Sequence, residues 1–137
     1  MKRPTPINEE VFFDGRSLIS ETDTKGIITY VNRKFTEMSG YSKDEAIGQP
    51  HSLLRHPDMP KAAFEQMWKV IQDGKIWEGY VKNLRKDGKF YWVIVNIVPK
   101  KDEMGEVIGY IASRKVPERI RIQSIAQQYK QMIEEEN

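Results

Sequence analysis

The spacing of hydrophobic positions along the chain changes from strand-like to helical and back, and each change marks an expected element. Ser17–Thr22 alternates as a strand does, Asp23-Thr-Lys-Gly26 is a turn, and Ile27–Val31, β-branched and aromatic, completes a hairpin. From Asn32 the period becomes helical. Asn32 is placed to cap a helix whose Phe35 and Met38 share a face, and Gly40 stops it. Ser42-Lys-Asp-Glu45 has the capping-box pattern of a second short helix, closed by Gly48-Gln-Pro50. The stretch 51–60 holds too much proline for a long helix. Asp58 is placed to cap the next one, with Pro60 in its first turn. Ala63, Phe64, Met67, Trp68 and Ile71 form that helix's apolar stripe, and Asp73-Gly74 ends it.

The second half is β. Ile76–Arg85 and Phe90–Pro99 flank Lys86-Asp-Gly-Lys89, and Val107–Lys115 follows another glycine-containing turn. If Asp87 and Gly88 alone form the loop, Asn83 opposes Trp92, Val81 opposes Ile94, Gly79 opposes Asn96 and Trp77 opposes Val98, all on one face. Tyr80, Tyr91, Val93, Val95 and Ile97 then occupy the other face, so both need cover. The segment around Phe12 and Phe13, a terminal helix or a second copy of the chain could supply it. Pro117-Glu118 opens that terminal helix, whose Ile122, Ile125, Tyr129 and Met132 form a heptad-like seam suited to docking on the sheet or to a dimeric connector.

Composition narrows the function. Lys+Arg 22 against Asp+Glu 20 gives +2, too balanced for a nucleic-acid binder that neutralises phosphates. Cysteine is absent, which excludes disulfides, thiol catalysis and cysteinyl cofactor adducts. No apolar run approaches the length of a membrane span and MKRPTPINEE lacks a signal-peptide core, so a cytoplasmic location without direct membrane insertion is expected. No nucleophile is paired with an oriented base, and no phosphate-cradling glycine loop occurs; an enzyme is not expected.

The order of strands, short helices, three long strands and a last helix resembles a PAS domain. So do Thr22-Asp-Thr-Lys-Gly-Ile-Ile-Thr-Tyr-Val-Asn32, Ser39-Gly-Tyr-Ser42 and Lys86-Asp-Gly-Lys-Phe-Tyr-Trp-Val93, within a match over roughly residues 17–115. The resemblance implies an α+β PAS fold: a five-stranded antiparallel sheet with short helices on one face and a C-terminal helix. Residues 1–16 would be an N-terminal cap segment, 17–116 the sensor domain and 117–137 a signalling or connector helix. Within PAS domains the chain is most similar to the flavin-binding sensors of bacterial aerotaxis receptors. That similarity rests on Gly-Gln-Pro-His51, Arg55-His-Pro-Asp-Met-Pro-Lys-Ala-Ala-Phe64, Met67-Trp68, Trp77-x-Gly79 and Val-Lys-Asn83. It implies non-covalent FAD whose redox state is relayed to a chemotaxis-type transducer or HAMP-type signalling module, with a homodimer possible.

The candidate cofactor-binding residues each carry a plainer role as well. Arg55 and His56 suit a helix end, yet Arg's planar fork and His as donor or cation also suit the anionic parts of FAD. Asp58 is a helix cap, and by resemblance is tied to flavin retention. Phe64, Trp68 and Trp77 are core aromatics or stacking partners for a flat ring, and Gly79 leaves room for one. Asn83 and Asn96 are amides on an apolar face that need partners, from local backbone or from the flavin edge, and either could switch on reduction. Asn32 reads first as a cap. His51 lies near where light-sensing flavin domains place their adduct-forming cysteine. The expected function is therefore an FAD-binding redox or oxygen sensor. The alternatives are a haem-binding gas sensor using His51 or His56, and a cofactor-free PAS interaction module.

Overall fold

The computed structural model describes residues 2–137. Its elements are β1 Ile19–Thr22, β2 Ile28–Val31, α1 Arg33–Ser39, α2 Lys43–Ala46, a 3-10 turn His51–Leu54, α3 Lys61–Gln72, β3 Trp77–Leu84, β4 Phe90–Lys101, β5 Val107–Lys115 and α4 Arg119–Glu136. The strands form one antiparallel sheet in the order β2-β1-β5-β4-β3. The core lies between its inner face and the short helices, around Phe35, Leu54, Ile71 and Val93. No helix among the described residues is long and apolar enough to cross a membrane.

The local signals at the first helices act as expected. Asn32 Oδ1 accepts from the Phe35 N–H at 3.0 Å, Gly40 closes α1 in the left-handed conformation, and Ser42 and Glu45 form a reciprocal capping box. Asn32 also accepts from the Ile19 N–H and donates to the Ser17 carbonyl, which ties α1 to β1 and engages both ends of its amide locally. α3 departs from expectation. Its cap is Pro60, which offers no side-chain acceptor, and the Lys61 and Ala62 N–H groups instead donate to the carboxylate of Glu136, at the far end of α4 (3.1 and 2.9 Å).

The β3–β4 register corrects the expected facing. The loop has three residues, not two. The Gly88 N–H donates to the Arg85 carbonyl, the Arg85 N–H to the Lys89 carbonyl, and Gly88 has φ +91°. This is a type I turn followed by a left-handed residue, the usual three-residue hairpin loop. The tip is held from outside: Arg85 donates to the Met38 and Glu37 carbonyls and pairs with Asp87, while the Lys86 N–H donates to the Ser39 carbonyl. One extra loop residue shifts β4 by one. Asn83 pairs with Tyr91, Val81 with Val93, Gly79 with Val95 and Trp77 with Ile97 on the inner face. Trp92, Ile94, Asn96 and Val98 turn outward.

α4 lies against that outer face. Ile125 is buried, Tyr129 stacks on Trp92 (ring centroids 6.4 Å apart) and its hydroxyl donates to the Tyr80 carbonyl at 2.7 Å. The N-terminal segment takes the stretch of β4 that β5 does not reach, through Ile7 N–H to the Gly88 carbonyl, Phe90 N–H to Glu9 and Val11 N–H to Phe90. Phe13 enters the core; Phe12 stays exposed beneath the Arg119 guanidinium.

Candidate functional site

Between the inner face and α3 lies a cavity of about 360 Å³, within the range of small-molecule sites. Val81, Val95, Ile97 and Ala112 form its floor, and Phe64, Met67, Trp68 and Ile71 its helical wall. Trp68 lies edge-on to Tyr110 (ring centroids 5.7 Å apart) and packs against Gly26 of the β1–β2 turn. Polar groups gather at the margins: Ser20, Thr22, Asn83 and Arg114 from the sheet, His51, Ser52 and Arg55 from the segment before α3, and Lys25 from the turn. Three of these are cations, and no Asp or Glu lines the space among the described residues.

Arg55 sits at the lip. Its guanidinium donates to the Met59 carbonyl and lies 5.0 Å from the Phe64 ring centroid, while its backbone bridges to Asn83 on the free edge of β3. Arg3 braces this lip by donating to the Ser52 and Arg55 carbonyls. Deeper in, His51 Nε2 lies 3.0 Å from both Ser20 Oγ and Arg114 Nη2. Arginine only donates, so Nε2 accepts and the ring is neutral, with its proton on Nδ1. Burial, reinforced by the Arg114 charge, holds the His51 pKa down at about 3. Burial also pushes Arg114 down to about 10. Tyr91 is raised by burial, against which Arg114 and the Asn83 amide act in the opposite sense.

Of the residues singled out in the sequence, His51, Arg55, Phe64, Trp68, Trp77 and Asn83 line the cavity. The others do not, each for a local reason. His56 is buried behind the lip, edge-on to Phe90, with Nδ1 accepting from the Asp58 N–H at 3.0 Å. Burial, with Lys82 nearby, lowers its pKa to about 4. Asp58 points to the β3 edge and pairs with Lys82 at 2.7 Å. The space above Gly79 is filled by the Trp77 indole, since a Cβ there would lie 2.5 Å from that ring. Asn96 faces outward beside Glu78, opposite the cavity, because of the three-residue loop. Asn32 is consumed by its cap.

Arg114, Ser20 and Lys25 were not singled out. The signal for Arg114 was available: along β5, Tyr110, Ala112 and Arg114 share the inner face, so a full charge stands where core residues belong.

Residues 28–114 match the family model described as PAS fold. The chain belongs to the PAS family. Over 101 residues, 74% of this chain, it is 48% identical to the "Aerotaxis receptor" of Escherichia coli (strain K12). It is 32% identical over 97 residues to the "Nitrogen fixation regulatory protein" of Klebsiella pneumoniae. This PAS chain spans 20% of the length of each. A crystal structure of the PAS domain of a Colwellia psychrerythraea protein superposes with TM-score 0.63 at 30% identity, over 74% of this chain and 86% of that one. The dark-state LOV domain of the blue-light photoreceptor Aureochrome1 superposes with TM-score 0.70 over 88% of this chain and 86% of that one. At 21% identity, that likeness concerns fold alone.

Proposed function

We propose that this PAS domain is a non-enzymatic redox or oxygen sensor that holds FAD in the inner cavity. The observation that carries the reading is a cavity with apolar walls and a cationic, acid-free margin. Such a space suits a flat ring bearing a polar edge and an anionic tail. The 48% identity to an aerotaxis receptor supports the same class of ligand. Haem draws less support, because His51 Nε2 already accepts from a guanidinium and His56 Nδ1 from a backbone N–H.

In this reading Phe64, Met67 and Trp68 cover one side of the ring and Val81, Val95 and Ile97 the other. Arg55 and Lys25 at the lip hold the diphosphate, and Asn83 meets a polar edge. Bound flavin would supply a reversible electron store. Asn83 is the candidate switch, since an amide must change between donating and accepting when its partner gains a proton. Its strand carries the Tyr80 carbonyl held by Tyr129, so a shift in β3 reaches α4 directly. Residues 117–137 then act as the connector to a separate transducer or HAMP-type module, in the cytoplasm.

Absorbance of the purified protein, followed by the mass of the released cofactor, tests this. Flavin bands and one FAD per chain are expected. A Soret band would replace flavin by haem, and a colourless protein that takes up no flavin would leave a cofactor-free interaction module.

A further inference from the structure

Arg114 is 6% exposed, and its contacts are all neutral. Nη1 donates to Ser20 Oγ at 2.9 Å and to the Ala112 carbonyl at 3.1 Å, Nη2 meets His51 Nε2 at 3.0 Å, and Nε is buried with no partner. The Phe35 ring lies 5.9 Å away. Elsewhere in the domain Arg85, Lys82, Lys100 and Arg119 each have a carboxylate. A buried full charge without a counter-charge is costly, and a bound anionic group would relieve that cost.

We propose that Arg114 is a ligand-binding residue, the counter-charge for the electron-rich edge of the ring that enters this cavity. The assignment rests on the flavin reading and makes it specific. Arg114 is on β5, the central strand of the sheet, whereas Lys25 is exposed and Arg55 is partly exposed at the lip. A diphosphate, doubly charged, stays with the exposed pair; the ring edge reaches the deep cation. On a flavin that edge is N1–C2=O2. After two electrons and one proton the ring carries one negative charge there. With His51 neutral, Arg114 supplies the one positive charge that matches it, so the site favours the reduced, anionic ring over the oxidised, neutral one.

The test uses the whole chain loaded with FAD, as wild type, Arg114→Gln and Arg114→Lys. Flavin-to-protein ratio is measured after gel filtration, and midpoint potential by dithionite titration against a reference dye. In Arg114→Gln the preference for reduced over oxidised flavin should fall at least about tenfold, which lowers a two-electron midpoint by about 30 mV. Arg114→Lys, which keeps the charge but not the fork, should fall between. An Arg114→Gln protein that keeps its flavin at the wild-type potential overturns the assignment. If Arg114→Gln folds poorly or emerges without flavin, Arg114→Lys decides: a lowered midpoint supports the assignment and an unchanged one overturns it. A wild-type chain that takes up no flavin overturns the flavin reading itself, a distinct result read before any variant is made.

Discussion

The two faces of the same five strands treat charge in opposite ways. On the outer face Glu78 pairs with Lys115 at 3.3 Å and Glu21 with Lys100 at 2.7 Å, and α4 brings Arg119 to Glu10. On the inner face Arg114, His51, Ser20 and Asn83 border a cavity that no acid lines among the described residues. The outer face is completed by the chain's own residues. The inner face leaves Arg114 without a carboxylate, and in the proposed reading the flavin would supply the missing charge.

Placing a charge on the inner face should break the contrast most severely. Val93→Asp would bury a carboxylate with no partner at a fully buried position of β4, so cooperative urea unfolding should disappear. Acid comes next. His51 and His56 are held neutral, with folded values of about 3 and about 4 against an ordinary 6.5. The unfolded chain therefore binds protons that the fold does not. Their contribution is complete above pH 6.5 and is lost as pH falls toward 4 and then 3. Between pH 7 and 5 the two together should remove about 3–4 kcal/mol, read from urea midpoints, and a His51→Gln, His56→Gln double variant should remove most of that slope.

Tyr129→Ala attacks only the outer side, by deleting the Trp92 stack and the bond to the Tyr80 carbonyl; calorimetry should show a loss of about 2–3 kcal/mol. A smaller pair sharpens the comparison by its sign. Arg114→Met should stabilise the flavin-free protein by about 1 kcal/mol, because Ser20 and His51 keep their bond to each other while the buried charge is gone. Arg119→Met should instead cost up to about 1 kcal/mol, because it strips a partner from Glu10. Asn96→Ala should stay within about 0.5 kcal/mol.

Much of the fold was legible because its signals are local. The Asn32 cap, the Gly40 stop and the Ser42–Glu45 box each act within four residues. The β3–β4 facing was not legible from Asp-Gly alone, since that pair fits a two-residue or a three-residue loop. Contacts to Ser39, Met38 and Glu37, roughly 50 residues away, accompany the longer one. The same distance effect hid the cap of α3, where Glu136 does what Asp58 was placed to do. Arg114 was readable by strand parity, but charge on a strand near a turn reads first as a solvated position. Half of the candidate site was thus visible as residue types, and its electrostatics only in three dimensions.

Arg3 and Glu136 lie at opposite extremes of the sequence, yet both grip the same stretch, from Ser52 to Ala62. The first holds the carbonyls of Ser52 and Arg55, and the second the amides of Lys61 and Ala62. The doorway of the cavity is therefore bolted by two remote segments, and trimming or tagging near either would loosen its frame before touching any wall of the chamber behind it.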